Sequence, residues 1–295
     1  MKRYECLNTF RYYVVGAVLL FCVAFLVGSH LPILEKKHRD YGKEQLATVI
    51  LRDAEGTGSG AVVRRTNSQG NTRLFIWTAA HVVSASDEVV VETKVRNEYR
   101  KVGTVSFKAR VIMRAPAEDI ALLWLDAPEG FFNYVQFDDV GQRDIGAEVF
   151  HVGNFLGSMD DSVSWGRVSQ QGVDGGNIWR SIDQADMVIL PGSSGGPLFS
   201  HDSRRILGIV VGWPRQPGVC FYVPLRTIRG VAFRDSVYWA VYGDFSPEDS
   251  ALDKLVEKSK LPKNESVPAT KPEPPESKKS VEPKKSLRRF TFKGW

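Results

Sequence analysis

The sequence predicts an all-β barrel architecture, and three observations carry that prediction. Short runs rich in Val, Ile, Phe and Trp recur through the middle of the chain, and Gly, Asn and Asp turns separate them. Few stretches between these turns show helical periodicity. The chain has 295 residues, which leaves room for one core domain of about 200 residues plus appendages. Charge sharpens the division. The formal net charge is +5, but residues 1–43 carry +4 and residues 259–295 carry +6, so residues 44–258 carry −5. The basic balance belongs to the ends, and a basic nucleic-acid cleft in the central domain is not supported.

The elements follow in order. Residues 1–11 are polar, and residues 12–34 contain no Asp, Glu, Lys or Arg. A bilayer needs about 20 such residues, so 12–34 reads as a membrane span. No small-x-small cleavage site follows it, and Phe21 spoils a lipoprotein box at Cys22, so the span reads as an uncleaved signal anchor. Cations flank it on both sides, so counting them does not decide its orientation. Residues 35–43 read as a charged stalk. Strands are expected at 47–52, 60–65, 74–78, 88–93, 101–107, 109–114 and 120–125, with glycine turns at 56–60 and 67–71. No Gly-Lys-Ser/Thr follows Gly56, Gly58 and Gly60, so they are no phosphate loop. The second half repeats the rhythm at 147–152, 161–170, 187–190, 197–200, 206–212 and 219–223.

Past Pro224 the pattern turns helical. Residues 225–233 suit a helix, and Ser246-Pro247-Glu248-Asp249 is a helix start with Leu252, Leu255 and Val256 behind it. From residue 259 Pro, Lys, Glu and Ser dominate, a composition that cannot bury a core and predicts disorder. The tail ends in Arg288, Arg289, Phe290 and Trp295. It reads as a solvated tail, with docking on a partner or an anionic surface as the functional alternative.

Of three cysteines only Cys220 lies in the central domain, so no disulfide can form within it. In a strand of apolar neighbours Cys220 reads as a small buried hydrophobe. No Cys/His cluster has metal-ligand spacing, and no cofactor is implied.

Chemistry concentrates in Pro191-Gly192-Ser193-Ser194-Gly195-Gly196-Pro197. A serine in a glycine-rich turn can expose its Oγ, and the N–H groups of Gly192 and Ser194 can point into one hole, with Gly195 as a weaker third donor. Such turns are also common between strands with no function at all. Upstream, Trp77-Thr78-Ala79-Ala80-His81-Val82-Val83 supplies a histidine and Asp119-Ile120-Ala121-Leu122-Leu123 an aspartate. His30, His38, His151 and His201 lack that context, and His151, inside a strand, reads as structural.

The order His, Asp, Ser in the contexts T-A-A-H, D-I-A-L-L and G-x-S-G-G-P resembles the chymotrypsin-like serine peptidases over roughly residues 44–232. Gly56-Thr57-Gly58-Ser59-Gly60 and Gly153-Asn154-Phe155-Leu156-Gly157 are most similar to the bacterial HtrA/Deg-type branch, although no stretch remains for a PDZ module. The resemblance implies two six-stranded barrels with His81, Asp119 and Ser194 as a catalytic triad in the cleft between them. It implies a protein or peptide substrate, and an oxyanion hole at Gly192 and Ser194. Asp183 and Asp186 are competing acids, placed where the family has pocket or structural residues. Val188, Val211, Trp213 and Gly218 fall where the family lines its primary pocket, which implies small or medium apolar residues there. Ser193 stands where pancreatic-type relatives carry an activating aspartate, so no zymogen cut is expected. By analogy with anchored relatives the N-terminus lies in the cytoplasm and the peptidase domain in the periplasm. Residues 233–258 are then a C-terminal extension.

Overall fold

The computed structural model describes residues 40–54, 56–97, 100–128, 130–173, 182–212 and 218–261. The expected anchor at 12–34 and nearly all of the tail lie outside them. Among the described residues no helix is long and apolar enough to cross a membrane.

Twelve described strands close into two antiparallel barrels of six. The first has β1 (Thr48–Asp53), β2 (Gly56–Thr66), β3 (Thr72–Thr78), β4 (Glu88–Asn97), β5 (Arg100–Ala115) and β6 (Ile120–Asp126), closed by β1 pairing with both β2 and β4. The second has β7 (Glu148–Phe155), β8 (Met159–Val173), β9 (Ile182–Ala185), β10 (Pro197–Ser200), β11 (Ile206–Gly212) and β12 (Cys220–Pro224), closed where β10 pairs with β7. Closure leaves no sheet edge exposed along the ladder, which suits a chain rich in apolar strands. Val49, Leu51 and Ile76 converge around Gly60 in the first barrel, Phe75 and Trp77 point the other way onto Trp239 and Phe137, and Leu198, Val210 and Cys220 lie in one buried cluster of the second. Burial of Cys220 pushes its thiol well above the ordinary range.

Three expectations need correction. Residues 56–60 are not a turn: β2 already begins at Gly56. A Cβ on Gly58 would lie 2.5 Å from Val82 Cγ1 and 2.9 Å from the Ser194 carbonyl, so this glycine makes room for two neighbours instead of reversing the chain. The expected strands at 101–107 and 109–114 are one strand, β5, because exposed Lys108 simply faces solvent and pairs with Glu88. Residues 187–190 form no strand although Met187 and Ile189 are buried and Val188 is exposed. The ladder uses Ile182–Ala185 instead.

Three α-helices among the described residues frame the barrels. The short α1 (Gly42–Leu46) begins inside the expected stalk and sinks Glu44, whose carboxylate meets the Arg204 guanidinium at 2.5 Å. Helix α2 (Leu225–Arg234) follows β12. Helix α3 (Asp249–Ser259) lies against β5 and buries Leu252 and Val256. The segment between α2 and α3 is tied to the first barrel by Arg65, which donates to the carbonyls of Trp239, Ala240 and Val241. Burial lowers the Arg65 pKa to about 10.

Candidate active site

Each predicted triad residue sits at the end of a strand or in the loop beside one. His81 lies in the 3-10 turn Ala80–Val83, directly after β3. Ala79 and Ala80 before it are buried, and their small side chains let the turn pack against the barrel. Asp119 closes the turn into β6 with φ of 57°, a left-handed conformation that Asp tolerates better than most residues. That turn aims its carboxylate back at the β3 end. Asp119 Oδ2 lies 2.7 Å from His81 Nδ1, and Oδ1 accepts the His81 backbone N–H at 2.9 Å. One acid thus fixes both the ring and the main chain of the histidine. The Asp119 side chain is 6% exposed and that of His81 46%, so the acid is shielded while the ring still faces solvent.

The competing acids are engaged elsewhere. Buried Asp183 pairs with Arg226 and accepts the Gly172 N–H at 2.8 Å. Exposed Asp186 accepts the Arg167 N–H. Arg226 sits on α2, so its pairing ties that helix to β9 of the second barrel.

The serine loop is held mainly by main-chain bonds, with the Ser59 and Ser193 hydroxyls adding one each. The Pro191 carbonyl accepts the Leu156 N–H at 2.6 Å, and the Ser193 carbonyl accepts the Gly196 N–H at 3.0 Å. In a trans peptide the C=O and the following N–H point in opposite directions. Pinning Pro191 O therefore turns the Gly192 N–H away from Leu156, and pinning Ser193 O turns the Ser194 N–H away from Gly196. Neither N–H donates to another described residue. Gly195 differs from expectation: its N–H is spent on Val210 O at 2.7 Å, so it is no third donor. Gly192 has φ of 94°, and a Cβ there would lie 2.1 Å from the Asn154 carbonyl, so only glycine fits.

His81, Gly192 and Ser194 line one cavity of about 290 Å³, together with Asp53, Gly56, Thr57, Val82 and Pro191. Val188, 53% exposed, is not on its wall. Val211 is buried in β11, and Gly218 lies just before β12 with φ of 87°. Trp213 lies outside the described residues. Among the described residues no group of His, Cys, Asp and Glu could hold a metal ion.

His151 is wholly buried beneath the loop. Its Nδ1 lies 2.9 Å from the Pro197 carbonyl, a contact that only a protonated Nδ1 can make as donor. Burial lowers its pKa to about 4, so the ring stays neutral near pH 7.

Sequence reasoning quotes Ser59, Asn154 and Leu156 within the stretches that carry the resemblance but gives them no role. Ser59 hydrogen-bonds to residues in the serine loop, Leu156 donates to it, and Asn154 O packs on Gly192. Ser59 has a signal, a hydroxyl between two glycines of a strand. Leu156 and Asn154 act here through the main chain, which leaves no side-chain signature.

Two closed barrels that meet at such a cleft place the chain in the class of two-barrel serine peptidases. The chain belongs to the trypsin-like peptidase domain family, whose model matches residues 58–209, about half of the 295 residues. A probable periplasmic serine endoprotease, DegP-like, from Pseudomonas fulva (strain 12-X) is 30% identical over 190 residues, covering 61% of this chain and 35% of that protein. The chain thus spans about a third of the length of the curated relatives it matches. The crystal structure of the serine endoprotease from Yersinia pestis superposes with a TM-score of 0.52 at 20% identity, over 67% of this chain and 66% of that one. Rv3671c from M. tuberculosis H37Rv, in an inactive form, gives 0.52 at 20% identity over 66% of this chain and 89% of that one. These two structures share the fold.

Proposed function

We propose that the chain is a membrane-anchored serine endopeptidase that cleaves peptide bonds through an acyl-enzyme. One observation carries the reading: the His81–Asp119 pair, Ser194 and two uncommitted N–H groups meet at a single cavity. Ser194 Oγ attacks the carbonyl, and His81 takes its proton. Asp119 holds the imidazole with its proton on Nδ1 and stabilises the imidazolium that forms. The Gly192 and Ser194 N–H groups receive the oxyanion, a stabilisation worth about 10²–10³ in rate per donor.

The peptidase domain is taken as 44–232, with 233–258 as an extension packed on the first barrel. The apolar stretch 12–34 supports a single-pass anchor, and the periplasmic name of the relatives supports an extracytoplasmic domain. Two further points support a ready-made enzyme with an apolar preference. Ser193 is buried, and its Oγ accepts the Leu190 N–H at 3.2 Å, so a neutral hydroxyl closes the loop without a newly cut N-terminus. Asp183 is paired with Arg226 and Asp186 accepts the Arg167 N–H, and neither lines the cavity to receive a basic side chain.

The test is fluorophosphonate labelling together with casein cleavage, for the wild-type chain and Ser194→Ala. Labelling and turnover that vanish in the variant, with Tm unchanged, support the reading; equal cleavage by the two chains overturns it. A peptide library varied at the residue before the scissile bond tests the preference. Highest kcat/KM for Ala, Val, Leu or Met agrees with it, and dominance of Arg or Lys does not.

A further inference from the structure

We propose that Ser59 is a positioning residue for the oxyanion site, supplied to the serine loop by the opposite barrel; the inference rests on the endopeptidase reading above. Ser59 lies in β2 of the first barrel and is fully buried. All its polar groups are used, and most of them cross the junction. Its N–H donates to the Ser194 carbonyl at 2.7 Å. Its carbonyl accepts the Thr78 hydroxyl at 2.7 Å. Its Oγ lies 2.7 Å from the Gly192 carbonyl and 3.0 Å from the Asn154 N. A hydroxyl has one proton, and an amide N–H can only donate, so the Ser59 proton must go to Gly192 O.

The two residues that Ser59 grips both line the cavity, and their N–H groups donate to no other described residue. Gly192 has no side chain to anchor it, and its two torsions are among the softest in the loop. The Leu156 N–H holds the peptide plane before it; the plane after it is held at its carbonyl by the Ser59 hydroxyl and at its N–H, that of Ser193, by the Leu190 carbonyl at 3.0 Å. With both planes held, the Gly192 N–H keeps one direction. With the Ser59 bond lost, only the Ser193 N–H on Leu190 O steadies the second plane, so the glycine torsions loosen and the donor is less well preorganised at the place where charge develops. Ser59 touches neither substrate nor reacting atoms in this arrangement. Its effect passes through the Gly192 backbone.

The test uses the full-length chain with Ser59→Ala, Ser59→Cys and Ser59→Thr. The measurements are kcat and KM on a peptide substrate, affinity for a peptide boronate, affinity for the product peptide, and Tm. The boronate forms a tetrahedral anion and so reads the oxyanion donors. Ser59→Ala should lower kcat about 10- to 100-fold with KM within about twofold. Boronate affinity should fall by a similar factor and product affinity should hold. Ser59→Cys keeps the volume with a weaker donor and should fall in the same way; Ser59→Thr keeps the hydroxyl and should recover most of the loss. A lower Tm with kcat unchanged in Ser59→Ala or Ser59→Cys would reduce Ser59 to packing and overturn the role. A wild-type chain that neither turns over substrate nor takes a fluorophosphonate defeats the endopeptidase reading and the inference with it. An active wild type with an unaffected Ser59→Ala defeats only the inference.

Discussion

The two barrels furnish the same cleft in different chemical terms. The first brings side chains: an imidazole and a carboxylate 2.7 Å apart, carried by the ends of β3 and β6. The second brings one side chain, Ser194, and otherwise main chain: carbonyls and N–H groups of residues 190–196, held by partners around the loop. The difference teaches where each half is vulnerable. On the first side the chemical identity of one atom decides function. On the second, apart from the Ser194 hydroxyl, the proposed mechanism depends on backbone direction, so a residue that only bends the loop harms it as surely as one that removes a donor.

Leaving the nucleophile aside, the largest expected effect comes from changing one atom of the first side. Asp119→Asn keeps the shape and an acceptor for the His81 backbone N–H. The amide loses the charge, and its NH₂ can face Nδ1, which favours the wrong imidazole tautomer. The kcat/KM of this variant should fall about 10⁴-fold with Tm within a few degrees. A loss below tenfold would detach Asp119 from the chemistry and leave the first barrel with a purely structural pair.

Next comes a methyl group on the second side. Gly192→Ala places a Cβ 2.1 Å from the Asn154 carbonyl at a φ of 94°, so the loop must turn. One oxyanion donor then leaves its place, and kcat should fall about 10²–10³-fold while KM moves little. If kcat holds, main-chain direction is not what the second barrel contributes.

The two histidines beneath and beside the loop extend the contrast to pH. His81 is half exposed beside a carboxylate; His151 is wholly buried with one carbonyl partner. The His151 pKa falls from 6.5 to about 4 on folding. Between those values the unfolded chain binds a proton that the native state refuses, so stability is lost as pH drops from about 6.5 to about 4. The depression amounts to roughly 3 kcal/mol. Urea denaturation across that range should show a shallower acid-side slope for His151→Gln than for wild type. Parallel slopes would mean that water or a partner reaches the ring.

Much of this contrast is legible from residues alone, and the limits are physical. The triad contexts can be read because side chains carry that chemistry, and most strands can be read because alternation survives in sequence. β9 is hidden because it contains Asp183 and Gln184, and its buried acid is satisfied by Arg226, 43 residues away. Its apolar neighbours Met187 to Ile189 mimic a strand without a ladder partner. The α1 helix hides in a charged stretch because buried Glu44 answers Arg204, 160 residues on. Ser59 looks like part of a turn because its partner Gly192 is 133 residues away and contributes only a carbonyl. Local pattern carries no trace of a bond whose other end is distant main chain.

The smallest expected effect is also the finest test of the claim that, Ser194 aside, main chain and not side chain matters on the second side. Leu156 and Gly157 have φ of 56° and 70°, and Ser158 N donates to Phe155 O at 3.3 Å. That is a type I′ turn, whose favoured central pair is Asn-Gly. A leucine in the left-handed region costs about 1–2 kcal/mol, and Asn tolerates the region better. Leu156 is 54% exposed, so little apolar burial is lost on replacing it. Leu156→Asn should therefore stabilise the chain by about 0.5–1 kcal/mol, which in a domain of this size raises Tm by roughly 1–4 °C. The N–H that holds Pro191 O is unchanged by the substitution, so kcat should stay within about twofold of wild type. The paired readout matters: a higher Tm with equal kcat means the loop needs only the amide of residue 156. A kcat loss beyond about fivefold in the stabilised variant would show that the leucine side chain itself meets the substrate, and that the second barrel contributes side-chain recognition after all.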